Sequence, residues 1–484
     1  MLAALVSAIL QSSAWASETS LDIENRIQRV ENGLLNPVSI LGRTNTAMAL
    51  TERMRFYKVP GVSIAVINNG GIEWARGYGV LDAESKVPVT SDSLFQAASI
   101  SKPVFAMAAL SLVEKGTLLL DEDVNAKLKS WKLPDNQFTR EQKVTLRSLL
   151  THTGGTTPSG FKGYATGQPL PTVSMLLDGV SPANSAPVRV DKVPGGAFRY
   201  SGGGMMIAQL LVSDATGQPI APFIKESVLD PIGMKHSSYE QPMPTSLENS
   251  AASGHNGAGV PIKGKWNIYP EQVAAGLWTT PSDLALFAIE MQKSRAGTSN
   301  KVLSKAMSTQ MLTRSQTSPF GLGIVVSPPN KTPSFNHSGA NEGFRTLLFA
   351  YTEAGKGAVV MTNGDAGSEV IAEVMRSLAV EYGWSDYQVV EKTLAVVDAK
   401  TLATYAGDYS IQGTDAEIRM VGARLFLKTA PLGPEAIELL PDTETNFFML
   451  TSPTLLSFTR AESGAVSLEV TVKGQKIKAS RANK

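Results

Sequence analysis

The 484-residue chain contains no cysteine. That excludes disulfides, thiolate metal sites, a cysteine nucleophile and lipoprotein-type acylation. Histidine is scarce as well. His152, His236, His255 and His337 are scattered at no metal-ligand spacing, so neither a metal nor another cofactor is expected. An excess of charge of one sign is also missing. Lys and Arg number 44 against 43 Asp and Glu, giving a net charge of +1. The chain therefore carries no electrostatic footprint for nucleic acid or an anionic membrane. No segment approaches about 20 consecutive apolar residues, so no membrane span is expected. What is present is 43% hydrophobic residues, enough for real cores in a chain long enough for two to four domains.

The first residues read as a signal peptide over 1–16. Leu2 to Leu10 is a short apolar run, and Ala14-Trp-Ala16 offers a small-x-small cleavage site before Ser17, although the usual positive n-region is missing. The expectation is a periplasmic or secreted protein. Residues 20–385 then alternate between helical and strand-like patterns. The clearest strands are Val62 to Ile67 and Ile72 to Gly77, joined by Asn68-Asn-Gly-Gly71, a β-hairpin that serves as scaffold. The stretch from Asp386 to Thr401 reads as a connection. Residues 401–484 hold short strands near 417–421, 424–428, 446–450, 455–459 and 466–473. In the last of these, Val466, Leu468, Val470 and Val472 alternate to mark one buried face. Closely spaced strands without helices predict a small antiparallel barrel or sandwich.

The most informative motif is Ser99-Ile-Ser-Lys102, opening an apolar helix with Val104, Met107, Ala108 and Leu112 on one side and Gly116 as its stop. Residues three apart share a helix face, so a hydroxyl and an amine come within reach of each other. A serine is a poor nucleophile until a neighbouring base takes its proton, and a helix N-terminus favours an oxyanion. A second Ser-x-x-Lys, Ser159 to Lys162, lies in a turn-rich stretch where nothing holds its side chains in register.

Two partners are candidates. Tyr200 stands in Pro194-Gly-Gly-Ala-Phe-Arg-Tyr-Ser-Gly-Gly-Gly204, whose glycines allow close backbone approach and leave room for a ligand; a phenol there can shuttle protons. His337-Ser338-Gly339 is followed by Ala340 and Asn341. The strand–turn–strand signal at Thr346 to Thr362 behind it places His337 on the main sheet. His152 is expected to brace the end of the Leu149-Leu150 helix, and His236 and His255 to be surface or packing residues.

These three elements, in this order, resemble the serine β-lactamase and penicillin-binding-protein superfamily, in its class C-like branch. Pro60 to Val66, Leu149 to Gly155, Asp230 to Met234 and Ala275 to Asp283 are similar to further landmarks of that family, over roughly residues 45 to 385. The segment containing Tyr405-Ala-Gly-Asp-Tyr409 resembles the lipocalin-like domain of some members. The resemblance implies an α/β (α+β) fold. It would have an antiparallel sheet flanked by helices with a helical subdomain, the site between them, and a C-terminal antiparallel β-barrel. It also implies that Ser99 forms an acyl-enzyme, that Lys102 and Tyr200 share the acid and base work, and that the N–H groups of Ser99 and Ala340 form the oxyanion hole. His337 would line the pocket, and Gly202, Ser338, Gly339 and Asn341 would meet the substrate.

One departure stands out. Gly202 occupies the position where the family's Tyr-x-Asn has an amide for the substrate's acyl chain. A histidine at 337 in place of lysine further predicts a carboxylate-binding charge that depends on pH. The leading expectation is an exported serine hydrolase for β-lactams or D-amino-acid peptides. A carboxylesterase on the same scaffold, or a non-catalytic sensor, are the alternatives. The partner is then a small-molecule or peptide substrate.

Overall fold

The computed structural model describes residues 20–481 apart from 434, 462–465 and 473, so the expected signal peptide lies outside the described residues. Among the described residues no helix is long and apolar enough to cross a membrane. The chain forms two compact units. One comprises the described residues up to Glu24 and Thr51–Ile371; the other comprises Asn25–Leu50 and Ala372–Lys484.

In the first unit the expected hairpin is formed by Gly61–Asn68 and Gly71–Gly79. Asn69 (φ 51°) and Gly70 (φ 74°) sit between them in the left-handed region, the twist that a two-residue hairpin turn requires. A six-stranded, wholly antiparallel sheet is built on this pair. Its order is Gly71–Gly79, Gly61–Asn68, Gly357–Thr362, Phe344–Tyr351, Ser334–Asn341 and Val325–Val326. The helix Pro281–Ala296 packs on its centre, which is why Gly61–Asn68 and Gly357–Thr362 are apolar along almost their whole length.

The helix carrying the Ser-x-x-Lys motif runs Ser101–Glu114 after a single 3₁₀ turn, Ala98–Ile100. It has no solvent face over most of its length. Every residue from Ser101 to Leu112 is buried, which corrects the one-sided apolar pattern read from the sequence. Its two serines make this possible by bonding back into the chain. Ser101 Oγ donates to Ala98 O (2.5 Å), and Ser111 Oγ donates to Ala108 O (2.8 Å). Gly116, at φ 72°, ends it.

The second unit is a closed eight-stranded antiparallel barrel running from Gly407–Ile411 to Gln475–Arg481. Its interior is filled. Tyr405 stacks on Phe458 at 4.3 Å between ring centres, and Phe447 meets both edge-on. Such pairs contribute about 0.5–1.5 kcal/mol each beyond the area they bury. Val466, Leu468 and Val470 face this core, but Val472 is 39% exposed, so the buried alternation stops one position earlier than the sequence pattern suggests.

The expected connection at 386–401 is structured. Val390–Lys392 pairs in parallel with Val38–Ile40 from the N-terminal segment. The helix Ala399–Tyr405 brings Leu402 and Tyr405 into the barrel core. Val38 and Ile40 pack on Phe448, and Lys392 pairs with Asp442 at 2.7 Å. This unit is therefore assembled from both ends of the described chain, with the barrel strands themselves lying within Gly407–Arg481.

Candidate active site

The 3₁₀ turn that carries Ser99 is held in an unusual shape. Ala98 has φ 49°, a conformation costly for a residue with a side chain. Its neighbours supply the restraint. Leu277 N–H donates to Ser101 Oγ (3.0 Å), Tyr239 OH donates to Ser101 O (2.5 Å), and Thr346 Oγ1 donates to Ala97 O (3.1 Å). Gly339 completes the fit, because a Cβ there would run into Ala97 O and Thr346 Oγ1.

Lys102 is 2% exposed, and its Nζ donates to Ser99 Oγ at 2.9 Å and to Ala274 O at 2.6 Å. The carbonyl comes from the short helix Gln272–Ala275. The same helix offers Ala275 O to Asn341 Nδ2 (3.2 Å), whose other acceptor is Gln96 Oε1 (2.7 Å). Asn341 thus ties the His337 strand to the strand entering the Ser99 turn. Nothing in the Ser-x-x-Lys spacing reveals Gln96 or Ala274, because one acts through an amide and the other through a backbone carbonyl.

A cleft of about 340 Å³ is lined by Ser99, Tyr200, Phe320, Val325, Asn336, His337, Ser338 and Ala340. Five of the predicted residues therefore meet there, with Lys102 behind Ser99. Lys102 Nζ lies 5.0 Å from the centre of the Tyr200 ring. Gly202 opens the helix Gly202–Thr216, capped by Ser201, whose Oγ accepts from Gly204 N–H (2.8 Å). Gly202, Gly203 and Gly204 leave no room for a ligand, whereas Gly195, on the other side of Tyr200, has nothing within 4 Å of where a Cβ would stand. A Cβ on Gly203 would run into Thr157 O, one on Gly204 would come 2.6 Å from Thr156 Oγ1, and one on Gly202 would stand 2.9 Å from Phe161 Cε2. The space is filled by the segment Thr156–Phe161. The second Ser-x-x-Lys, at Ser159, falls in this irregular stretch.

His337 is 3% exposed. Its Nδ1–H donates to Ser338 O (2.7 Å), which leaves Nε2 as an acceptor, buried and without a partner. Burial and the nearby Lys102 ammonium push its pKa down to about 3. The ring is therefore neutral across the ordinary working range, and the pH-dependent carboxylate-binding charge expected of it is corrected to no charge.

His152 lies against Tyr200, a placement that the sequence did not reveal. It does brace the helix end, its N–H donating to Leu149 O (3.2 Å), but its ring turns to Tyr200, 4.4 Å away between ring centres. Phe320 stands edge-on to it at 4.6 Å. Phe198, 39% exposed, stacks on Phe320 at 5.8 Å, so an aromatic rim borders the cleft. The other two histidines are packing and surface groups. His255 is fully buried between Asn363 O and Ala83 N–H, and His236 is half exposed beside Asp283. Among the described residues no three His, Asp or Glu side chains converge as a metal site would need.

A serine on the turn that leads into a central helix, beside a buried lysine and facing a tyrosine and the last strands of an antiparallel sheet, defines a serine hydrolase of the β-lactamase and penicillin-binding-protein type. The chain belongs to the β-lactamase family, whose pattern matches residues 47–380. It is similar to penicillin-binding protein 4* of Bacillus subtilis, 25% identical over 426 residues that cover 84% of this chain and 91% of that one. It is also similar to esterase EstB of Burkholderia gladioli, 30% identical over 261 residues that cover 51% of this chain and 64% of that one. Among solved structures, the octameric penicillin-binding protein homologue from Pyrococcus abyssi shares the fold, with a TM-score of 0.58 and 22% identity over 89% of this chain and 98% of that one.

Proposed function

We propose that this protein is an exported acyl hydrolase in which Ser99 is the nucleophile and forms an acyl-enzyme with β-lactams or D-amino-acid peptides. The observation that carries the reading is the 2.9 Å contact between Lys102 Nζ and Ser99 Oγ, held by the Ala274 carbonyl. Along the same line Lys102 Nζ takes the serine proton as Oγ attacks the carbonyl carbon. Tyr200 passes a proton to the leaving group and later draws one from the hydrolytic water as it attacks the acyl carbon; Lys102 returns its proton to Ser99 Oγ as the acyl bond breaks, which regenerates both. The N–H groups of Ser99 and Ala340 face the oxyanion, a donor pair of which each member contributes about 2.7–4 kcal/mol in a comparable hydrolase. His337 lines the leaving side as a neutral group, and Ser338 contacts the substrate. Gly339, Asn341 and Gly202 shape the site through the packing described above. Residues 20–385 would form the hydrolase domain, and 401–484 a lipocalin-like barrel.

A second reading, a carboxylesterase using the same serine, is favoured by Gly202, which has no amide to meet an acyl chain, and by the uncharged His337. The similarity to an esterase and to a penicillin-binding protein fits both readings. Intact mass followed over time after adding a penicillin, with Ser99→Ala alongside, separates them. An adduct on the wild type alone is expected. No adduct and no antibiotic consumption, with turnover of a short acyl ester, would leave the esterase. Failure with both would leave a sensor module.

A further inference from the structure

We propose that His152 is a positioning residue for the reaction: it fixes Tyr200 by holding the backbone on both sides of it. Arg199 N–H donates to His152 O (2.8 Å), and Ser201 N–H donates to His152 Nδ1 (3.2 Å). Tyr200 lies between these two donors, with its ring against the imidazole. One residue thus grips the tyrosine at its preceding amide, its following amide and its ring.

The gripping residue is itself fixed from three directions. Thr151 Oγ1 donates to Arg147 O (2.9 Å) and lies 2.9 Å from Thr153 Oγ1. Ser318 Oγ donates to Thr151 O (2.7 Å), and Gly195 N–H donates to Thr153 O (2.8 Å). The helix end, the glycine-rich Tyr200 segment and the Phe320 segment therefore converge on His152. Its backbone is left-handed, φ 56°, a conformation rare in non-glycine residues and easiest for Asn, Asp and His.

The tautomer follows from the partners. Nδ1 accepts from an amide, so the proton of the neutral ring sits on Nε2, which is buried without a partner. Burial and the neighbouring Lys102 and His337 hold the ring well below its usual titration range, so Nδ1 keeps its lone pair for Ser201 at any working pH. A charged imidazole would replace that acceptor with a second donor and turn the amide of Ser201 away.

The inference rests on Tyr200 carrying protons in the reaction, and its test separates the two. Four variants are compared by kcat and KM on one acyl substrate: His152→Gly, His152→Asn, Tyr200→Phe and the double variant His152→Gly/Tyr200→Phe. Glycine and asparagine both accept the left-handed backbone, but only asparagine places an acceptor near the position of Nδ1. His152→Gly is expected to lower kcat by about 10- to 100-fold with little change in KM, the order of loss that a small misplacement of a reacting group brings. His152→Asn should recover most of that loss, and the double variant should be no slower than Tyr200→Phe alone. Equal losses in His152→Gly and His152→Asn, or fully additive losses in the double variant, would overturn the role of His152. An unaffected Tyr200→Phe would instead overturn the reading of Tyr200. If His152→Gly does not fold, His152→Asn decides: a loss as large as that of Tyr200→Phe overturns the proposal, and a smaller one supports it.

Discussion

Phe161 occupies the space that a side chain on Gly202 would need. The two are so close that a Cβ on Gly202 would lie 2.9 Å from Phe161 Cε2 and 3.2 Å from Ser159 O. The glycine and the phenylalanine are thus a matched pair. Gly202→Asn alone is expected to displace the ring and lower stability by about 1–3 kcal/mol, as overpacking generally does. Combined with Phe161→Ala, it regains the room. The double variant should then raise kcat/KM about tenfold for a substrate with an amide in its acyl chain, the worth of one well-made hydrogen bond. Its activity on a simple acyl ester should not rise. Kinetics on the two substrates side by side check this, and equal changes on both would refute it.

Lys102→Met tests the base. Methionine fills much of the same buried volume without the charge, so the fold should persist, and its melting temperature should match or exceed that of the wild type. Acylation of Ser99, followed by mass, should slow by about 10²–10⁴-fold. A variant that acylates at the wild-type rate would remove Lys102 from the chemistry.

His337 predicts a missing limb in the pH profile. Its pKa of about 3 lies below the usual 6.5, so the ring stays neutral from pH 5 to 8, and kcat/KM should show no histidine inflection there. Stability carries the complementary sign. Below pH 6.5 the unfolded chain takes up the proton that the folded chain refuses, so stability falls as pH drops from 6.5 toward 3. His337→Asn should lose less stability than the wild type between pH 7 and pH 4.5 in denaturant titrations.

Glu271 titrates in the opposite sense. It is fully buried, neither of its side-chain oxygens has a hydrogen-bond partner, and burial pushes its pKa up to about 7. The folded chain keeps this proton after the unfolded chain has released it near 4.5, so stability is lost as pH rises from 4.5 through 7. The loss is roughly 3 kcal/mol once complete. Glu271→Gln should therefore raise the melting temperature at pH 8.5 and have little effect at pH 4.5. Equal effects at the two pH values would show that the carboxyl is not held protonated.

The parts of the molecule legible in the sequence were those written in local pattern. The hairpin at Gly61–Gly79 follows from two apolar runs around Asn69 and Gly70, and the barrel strands follow from alternation and turn residues. Ser99, Tyr200 and His337, which meet in one cleft with Lys102 behind Ser99, are legible because each stands in a short motif of reactive side chains. His152 could not be found, since its grip on Arg199 and Ser201 depends on a loop folding back across nearly fifty residues. The two sides of the Ser99 helix were misjudged because its serines close their hydrogen bonds internally and so pass for apolar residues. The pairing of Val38–Ile40 with Val390–Lys392 leaves no local trace. Three-residue strands so far apart in sequence are set by the surface they meet, not by their own pattern.

That pairing fixes an order of events at the ribosome. Asn25–Leu50 emerges early, yet its partners in the same unit begin only at Ala372. At 5–20 residues per second the intervening Thr51–Ile371 takes roughly 16–64 s to synthesise. Throughout that interval Val38 and Ile40 lack the strand and the Phe448 ring that will cover them. This early-made segment is thus among the last to find its place, and a ribosome stalled before Ala372 leaves an apolar strand near the N-terminus without its partners for chaperones to recognise.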